Sequence, residues 1–190
     1  MGGYGKYITP SNEECKKIKK RFEIEAGPFF AYTGNIEPRK NIVTILKAFE
    51  IACDRLDKTT SLVLAGKLSW RTQPIIGAIE QNKYKDRIHL PGYISEEEKK
   101  YLMHNACAFV FPSNYEGFGI PVVEAMSCGG IVITADNSSL KEVGGKAAFY
   151  VQKTDEVSQL ADRMVQCFNL SDAERKKLTV DGESWAAQFS

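Results

Sequence analysis

The chain has 190 residues, 43% hydrophobic and 26% charged, enough to bury one substantial core at the usual size of a single domain. A formal net charge of +1 excludes a long-range field that would gather a polyanion, so nucleic-acid binding has no electrostatic support and any anion must be held locally. The five cysteines, Cys15, Cys53, Cys107, Cys128 and Cys167, form no CxxC and exclude complete internal pairing; they fit a reducing cytoplasm, and no apolar run approaches the ~20 residues of a membrane span.

Residues 1–10 are rich in Gly and Tyr without periodicity and read as a linker or tag remnant, expected to be poorly ordered, ahead of one domain over 11–190. Ser11 can cap a helix through EECKKIKKRF, whose charges read as a solvated face or, alternatively, as a basic membrane patch diluted by Glu13 and Glu14. From Phe29 onward, short apolar runs at 29–33, 62–65, 87–90, 108–111, 131–134 and 148–151 alternate with amphipathic stretches. Residues 41–55 place Ile42, Ile45, Leu46 and Phe49 on one face, and Ser95 with Glu98 forms a capping box before KKYLMHNA. Residues 155–170 and 172–187 read as two closing helices. Strands spaced by helices predict an α/β, Rossmann-like three-layer domain with a parallel sheet of about six strands. In such a sheet, ligands meet the loops at the carboxyl ends of the strands, here TGNIEPRKN, AGKLSW, PGYIS, PSNYEGFG and TADNSS.

The segment 112–128 carries the chemistry. A polar loop leads into a short helix near Ile120 with Pro121 in its first turn, where a missing N–H is harmless. Gly117 and Gly119 let backbone approach a ligand, and free N–H groups at a helix N-terminus hold phosphate oxygens without net charge. Glu124 interrupts the apolar series Ile120, Val122, Val123, Ala125 and Met126. An unpaired carboxylate there is costly, and a pair of ribose hydroxyls would satisfy it; a partly exposed helix-surface Glu is the alternative. Glu116 lies eight positions earlier, in the loop. The two carboxylates fit a grip on different parts of one extended ligand better than a glycosidase acid pair.

EGFGIPVVE resembles the E-x7-E signature of glycosyltransferase family 4, and TGNIEPRKN, LVLAGK, RIHLPGYIS, EGFGIPVVEAMSCG and SSLKEVGG follow in that family's order from about Phe29 onward. The resemblance implies the C-terminal, donor-binding half of a GT-B fold, in a retaining hexosyltransferase that uses a GDP- or UDP-hexose, with no cofactor and no metal. It further implies that Glu116 holds hydroxyls of the transferred sugar, that Gly117, Phe118 and Gly119 line the phosphates, that Ile120 belongs to the same donor-binding segment, and that Glu124 binds the ribose. The loop holding Gly34 and Asn35 would meet the diphosphate through Lys40. The family's Arg is replaced by Asn35, and Arg39 is placed to supply its charge. Gly92 with Tyr93 would meet the nucleobase, although Tyr93 reads equally as a half-buried packing residue; Gly66 and Lys67 would belong to the donor-binding loops, with Lys67 and Leu68 open to the same alternative. The resemblance also implies a separate N-terminal GT-B domain that supplies the acceptor, peripheral membrane association of the full enzyme, mannosyl donors, and an inactive fragment when this half stands alone.

Two other readings stay open on the residues. A stand-alone nucleotide-binding or regulatory module would keep Lys40 and Glu124 without a partner domain. A dinucleotide-binding Rossmann domain is suggested by GFGIPV and Asp136, although the third Gly of that fingerprint is missing and PSNYE separates the strand from Gly117. His89 and His104 lack metal-ligand spacing, and Cys128 reads as a packing residue.

Overall fold

The computed structural model describes residues 7–189. Its sheet comprises β1 (Phe29–Thr33), β2 (Ser61–Ala65), β3 (Ile88–Gly92), β4 (Phe109–Phe111), β5 (Val132–Ala135) and β6 (Phe149–Val151). All pairings are parallel, in the order β3-β2-β1-β4-β5-β6. The strand order therefore reverses between β1 and β4, which makes the crevice beyond their carboxyl ends the expected ligand position. Successive side chains of β1 serve opposite faces: Phe30 and Tyr32 enter one core cluster with Leu62 and Leu64, while Phe29 and Ala31 enter the other with Val63 and Ala65. Burial on both faces is why these strands read as unbroken apolar runs.

The covering helices are α1 (Asn12–Arg21), α2 (Ile42–Cys53), α3 (Gln73–Glu80), α4 (Glu96–Asn105), α5 (Ile120–Ser127), α6 (Ser138–Gly144), α7 (Val157–Phe168) and α8 (Asp172–Ala186). Ser11 with Glu14, Ser95 with Glu98 and Ser171 with Glu174 each complete a capping box, so three helix starts have reciprocal satisfaction of backbone donors. The third apolar run lies slightly later than 87–90, and the helix expected over 155–170 begins at Val157 and ends at Phe168.

Two helices depart from the sequence expectation. α3 carries Pro74 at its start and Gly77 inside, which mask its periodicity, and it buries Ile75 against the core. α6 has seven residues, too few for a periodic signal, and contributes Leu140 and Val143. Residues 1–6 of the expected linker lie outside the described residues. At Tyr7 the chain is already packed, with its ring stacked on His104 at 4.0 Å between centroids.

Candidate functional site at the carboxyl ends of the strands

The loops after β1, β2 and β3 step across the end of the sheet. Gly34 N–H donates to Ala65 O at 3.0 Å, and Gly66 N–H donates to Gly92 O at 2.8 Å. Gly66 has φ +145°, and a Cβ placed on it would lie 1.8 Å from Gly34 O. Glycine is required there because two backbones touch. Ile36 N–H then donates to Lys67 O at 2.9 Å, and the adjoining cavity of about 360 Å³ is lined by Asn35, Lys67, Leu68, Ser69 and Trp70. The Asn35 carbonyl accepts from Tyr32 Oη at 2.8 Å; burial, foremost, raises that phenol's pKa and keeps it a donor.

Across the switch point, the loop after β1 meets the loop after β4. A 3-10 turn, Pro38–Lys40, turns Lys40 inward until its side chain is 10% exposed. Its Nζ lies 2.5 Å from Glu116 Oε1 and 5.0 Å from the centre of the Phe111 ring. Arg39 stays half exposed at 48%; it donates to Tyr115 O at 2.7 Å and to Glu37 Oε1 at 2.8 Å, and reaches Glu116 Oε1 at 3.4 Å. The anionic neighbour demanded by two cations at a helix start is therefore supplied within the chain by Glu116 and Glu37. Asn41 holds this arrangement together. It takes a left-handed conformation (φ 58°), and its Nδ2 lies 3.0 Å from Pro112 O, 3.0 Å from Thr154 O and 2.8 Å from Asn114 Oδ1.

Glu116 is 12% exposed, and its carbonyl accepts from Ser139 Oγ at 2.8 Å. Three residues on, the backbone turns at Gly119, φ +87°, where a Cβ would come within 2.9 Å of Leu140 and 3.0 Å of Val143. Gly119 thus serves both a left-handed turn and the close packing of α6. Gly117 meets nothing within 4 Å, so no internal contact demands glycine at that position. Phe118 and Ile120 remain 44% and 49% exposed at the mouth of the crevice, which removes Ile120 from the apolar series expected to pack inward. Val122, Val123, Ala125 and Met126 do pack inward.

Glu124 departs most from the sequence expectation. It has a protein partner: Lys99 Nζ, from α4, lies 3.2 Å and 3.3 Å from its two carboxylate oxygens. Burial lowers the Lys99 pKa, but the carboxylates of Glu96 and Glu124 outweigh it and the net shift is upward, so the ammonium is retained. The two glutamates consequently face different neighbours, Glu116 toward the β1 loop and Glu124 toward α4. Tyr93 is 83% exposed, which excludes the half-buried packing role. Cys128 is buried with its thiol pKa pushed up to about 11 by burial, as a packing residue requires, and Asp136 is taken by Lys141 at 2.8 Å.

Lys99, Asn41 and Ser139 were not singled out from the sequence. Lys99 sits in a charged helix start, and its pairing across 25 positions has no local signal. Asn41 carried a signal in principle, since Asn tolerates the left-handed region ahead of an apolar helix.

The model of the family described as glycosyl transferases group 1 matches residues 14–185, most of the chain. The chain belongs to the glycosyl transferases group 1 family. The group 1 domain is 33% identical over 184 residues to O-antigen chain mannosyltransferase B of Escherichia coli, covering 97% of this chain and 48% of that protein. It is also 33% identical over 130 residues to a GDP-mannose:cellobiosyl-diphosphopolyprenol alpha-mannosyltransferase of Xanthomonas oryzae, covering 68% of this chain and 34% of the relative. It therefore spans about half the length, or less, of these relatives. Among solved structures, Anabaena HepE in complex with UDP-glucose superposes with a TM-score of 0.80 at 18% identity, over 97% of this chain and 50% of that one. The group 1 domain has the Rossmann-like half of a GT-B fold.

The Lys99–Glu124 pair gives a direct test of its own weight. Both side chains are about three-quarters or more buried, so a double-mutant cycle of Lys99→Met and Glu124→Gln in urea is expected to yield a coupling of about 1 kcal/mol. Additivity of the two substitutions would mean the pair contributes nothing to stability.

Proposed function

We propose that the group 1 domain is the donor half of a retaining mannosyltransferase. It binds GDP-mannose and works with a second domain that supplies the acceptor hydroxyl of a polysaccharide or lipid-linked saccharide. The observation that carries this reading is the buried Lys40–Glu116 contact, with Arg39 beside it, at the switch point of a parallel sheet and next to the N-terminus of α5. The names of the mannosyltransferase relatives support the mannosyl donor, and one of those names specifies GDP-mannose.

The chemistry follows from where charge develops. As the bond from the anomeric carbon to the β-phosphate oxygen breaks, the electron pair leaves with the nucleoside diphosphate and negative charge builds on that phosphate. Lys40 and Arg39, together with the N–H groups at the start of α5, stabilise it in a site that excludes part of the solvent. The sugar hydroxyls take over Glu116, loosening its hold on Lys40 and turning that ammonium toward the phosphate. Glu124 receives the ribose hydroxyls with the Lys99 ammonium beside its carboxylate. A metal ion is not needed to balance the leaving group when two cations stand in its place.

Calorimetry of the domain against GDP, UDP and ADP, each also as its sugar conjugate, tests the reading. GDP and GDP-mannose are expected to bind more tightly than the others. Failure of every nucleotide to bind at millimolar concentration would refute it. Without the acceptor-bearing domain, transfer to any acceptor is expected to be negligible.

A further inference from the structure

We propose that Arg21, at the end of α1, is a positioning residue that fixes the turn facing the nucleobase; this rests on the proposed GDP-binding function. The turn in question is 92–95, between β3 and α4. It is held from the sheet side, where the Gly92 carbonyl accepts from Gly66 N–H at 2.8 Å. On the other side it is held by α1: Arg21 Nη2 donates to the Tyr93 carbonyl at 2.7 Å, and Arg21 Nη1 donates to Glu98 Oε1. The same Glu98 uses its second oxygen to accept from Ser95 N–H at 2.8 Å, completing the capping box of α4. One guanidinium therefore spans the carbonyl that opens the turn and the carboxylate that closes it.

That geometry is specific to a planar fork of donors. A lysine ammonium reaches one partner well but not two in fixed directions. Glu98 is 15% exposed and Arg21 43%, so the pair is more sheltered than an ordinary surface pair such as Lys17–Glu13, at 73% and 81%. Gly92 has φ +76° and open space around its Cβ position, so the turn has no side-chain packing of its own at that point. The Tyr93 ring projects into solvent at 83% exposure. Ile94 packs against the core cluster that also holds Ile18 of α1, and the hydrogen bonds at Gly92, Tyr93 and Ser95 direct the backbone on either side of it; α1 supplies the one on the Tyr93 carbonyl. Arg21 also leans over the buried Phe22 ring, 5.4 Å from its centre, which keeps the guanidinium from swinging free.

The consequence is selectivity for the base. Contacts to the diphosphate come from the β1 and β4 loops and do not pass through Arg21. In calorimetry, Arg21→Ala is expected to weaken GDP roughly tenfold, the scale of one charge-assisted hydrogen bond, while UDP changes less than about twofold. Arg21→Lys, which keeps the charge but loses the fork, is expected to recover only a minor part of the loss. Glu98→Gln, which keeps an acceptor for Ser95, is expected to shift GDP in the same direction. Equal weakening of GDP and UDP would make Arg21 merely structural and overturn the proposal, as would unchanged GDP affinity in Arg21→Ala. Wild-type protein that holds GDP and UDP alike would overturn it too and would remove the GDP preference from the proposed function, leaving nucleotide-sugar binding itself in place. Binding of neither nucleotide by the wild type would instead sink the proposed function and the inference with it.

Discussion

Lys40→Ala is expected to lower the affinity for GDP by about 100-fold, and calorimetry on the purified domain measures it. The magnitude follows from burial. At 10% exposure the Lys40 side chain has already lost most of its water in the folded state, so its attraction for a phosphate is weakly screened. Truncating one member of a buried, hydrogen-bonded charge pair costs about 2–5 kcal/mol, and each 1.4 kcal/mol is a tenfold change in affinity. Arg39 does not compensate: it is 48% exposed and already bonded to Glu37 and the Tyr115 carbonyl. Arg39→Ala, with Lys40 intact, is accordingly expected to cost less than about tenfold. The free protein should also register the loss of Lys40, because among the described residues the Glu116 carboxylate then keeps only the 3.4 Å contact with Arg39. Unchanged GDP affinity in Lys40→Ala would reject the role given to this residue.

Gly66→Ala is expected to destabilise the domain by about 3–5 kcal/mol, lowering Tm by roughly 10 °C in a thermal melt. A Cβ at this position would sit 1.8 Å from Gly34 O and 2.7 Å from the Gly34 carbonyl carbon. Neither atom is the end of a flexible side chain, so relief requires the β1 and β2 loops to separate. The φ of +145° adds conformational strain for any residue with a Cβ. Separation of those loops would also strain the bonds from Ile36 to Lys67 and from Gly34 to Ala65, so GDP binding should weaken in parallel. A melt within 2 °C of wild type would show that the loops yield cheaply. Gly117→Ala is the contrasting case. Nothing lies within 4 Å of its added methyl, so its stability should change little and any loss should appear in ligand binding.

How the fold became legible before any coordinates depends on the kind of signal each element carries. β1 matched its expected bounds because five consecutive residues, Phe29–Thr33, are buried on both faces and leave an unbroken apolar run. α4 (Glu96–Asn105) was marked by a chemical pair, its N-cap Ser95 and Glu98, whose spacing is a property of one turn of chain. α3 and α6 lacked both kinds of mark. Pro74 and Gly77 blur the first, and seven residues cannot show a period in the second.

The candidate site divides along the same line. Local sequence determined that Gly117 and Gly119 precede a helix start at Ile120–Pro121, because turns, caps and proline act over a few residues. It also determined that Glu116 and Glu124 stand eight positions apart on a loop and a helix. Tertiary structure alone decided their partners. Lys40 meets Glu116 across 76 positions and Lys99 meets Glu124 across 25, because parallel strands bring distant loops to the same end of the sheet. The strand order, with its reversal between β1 and β4, placed Lys40 rather than Lys67 beside Glu116. No periodicity encodes that order; it emerges from which apolar faces fit together when the sheet closes its core.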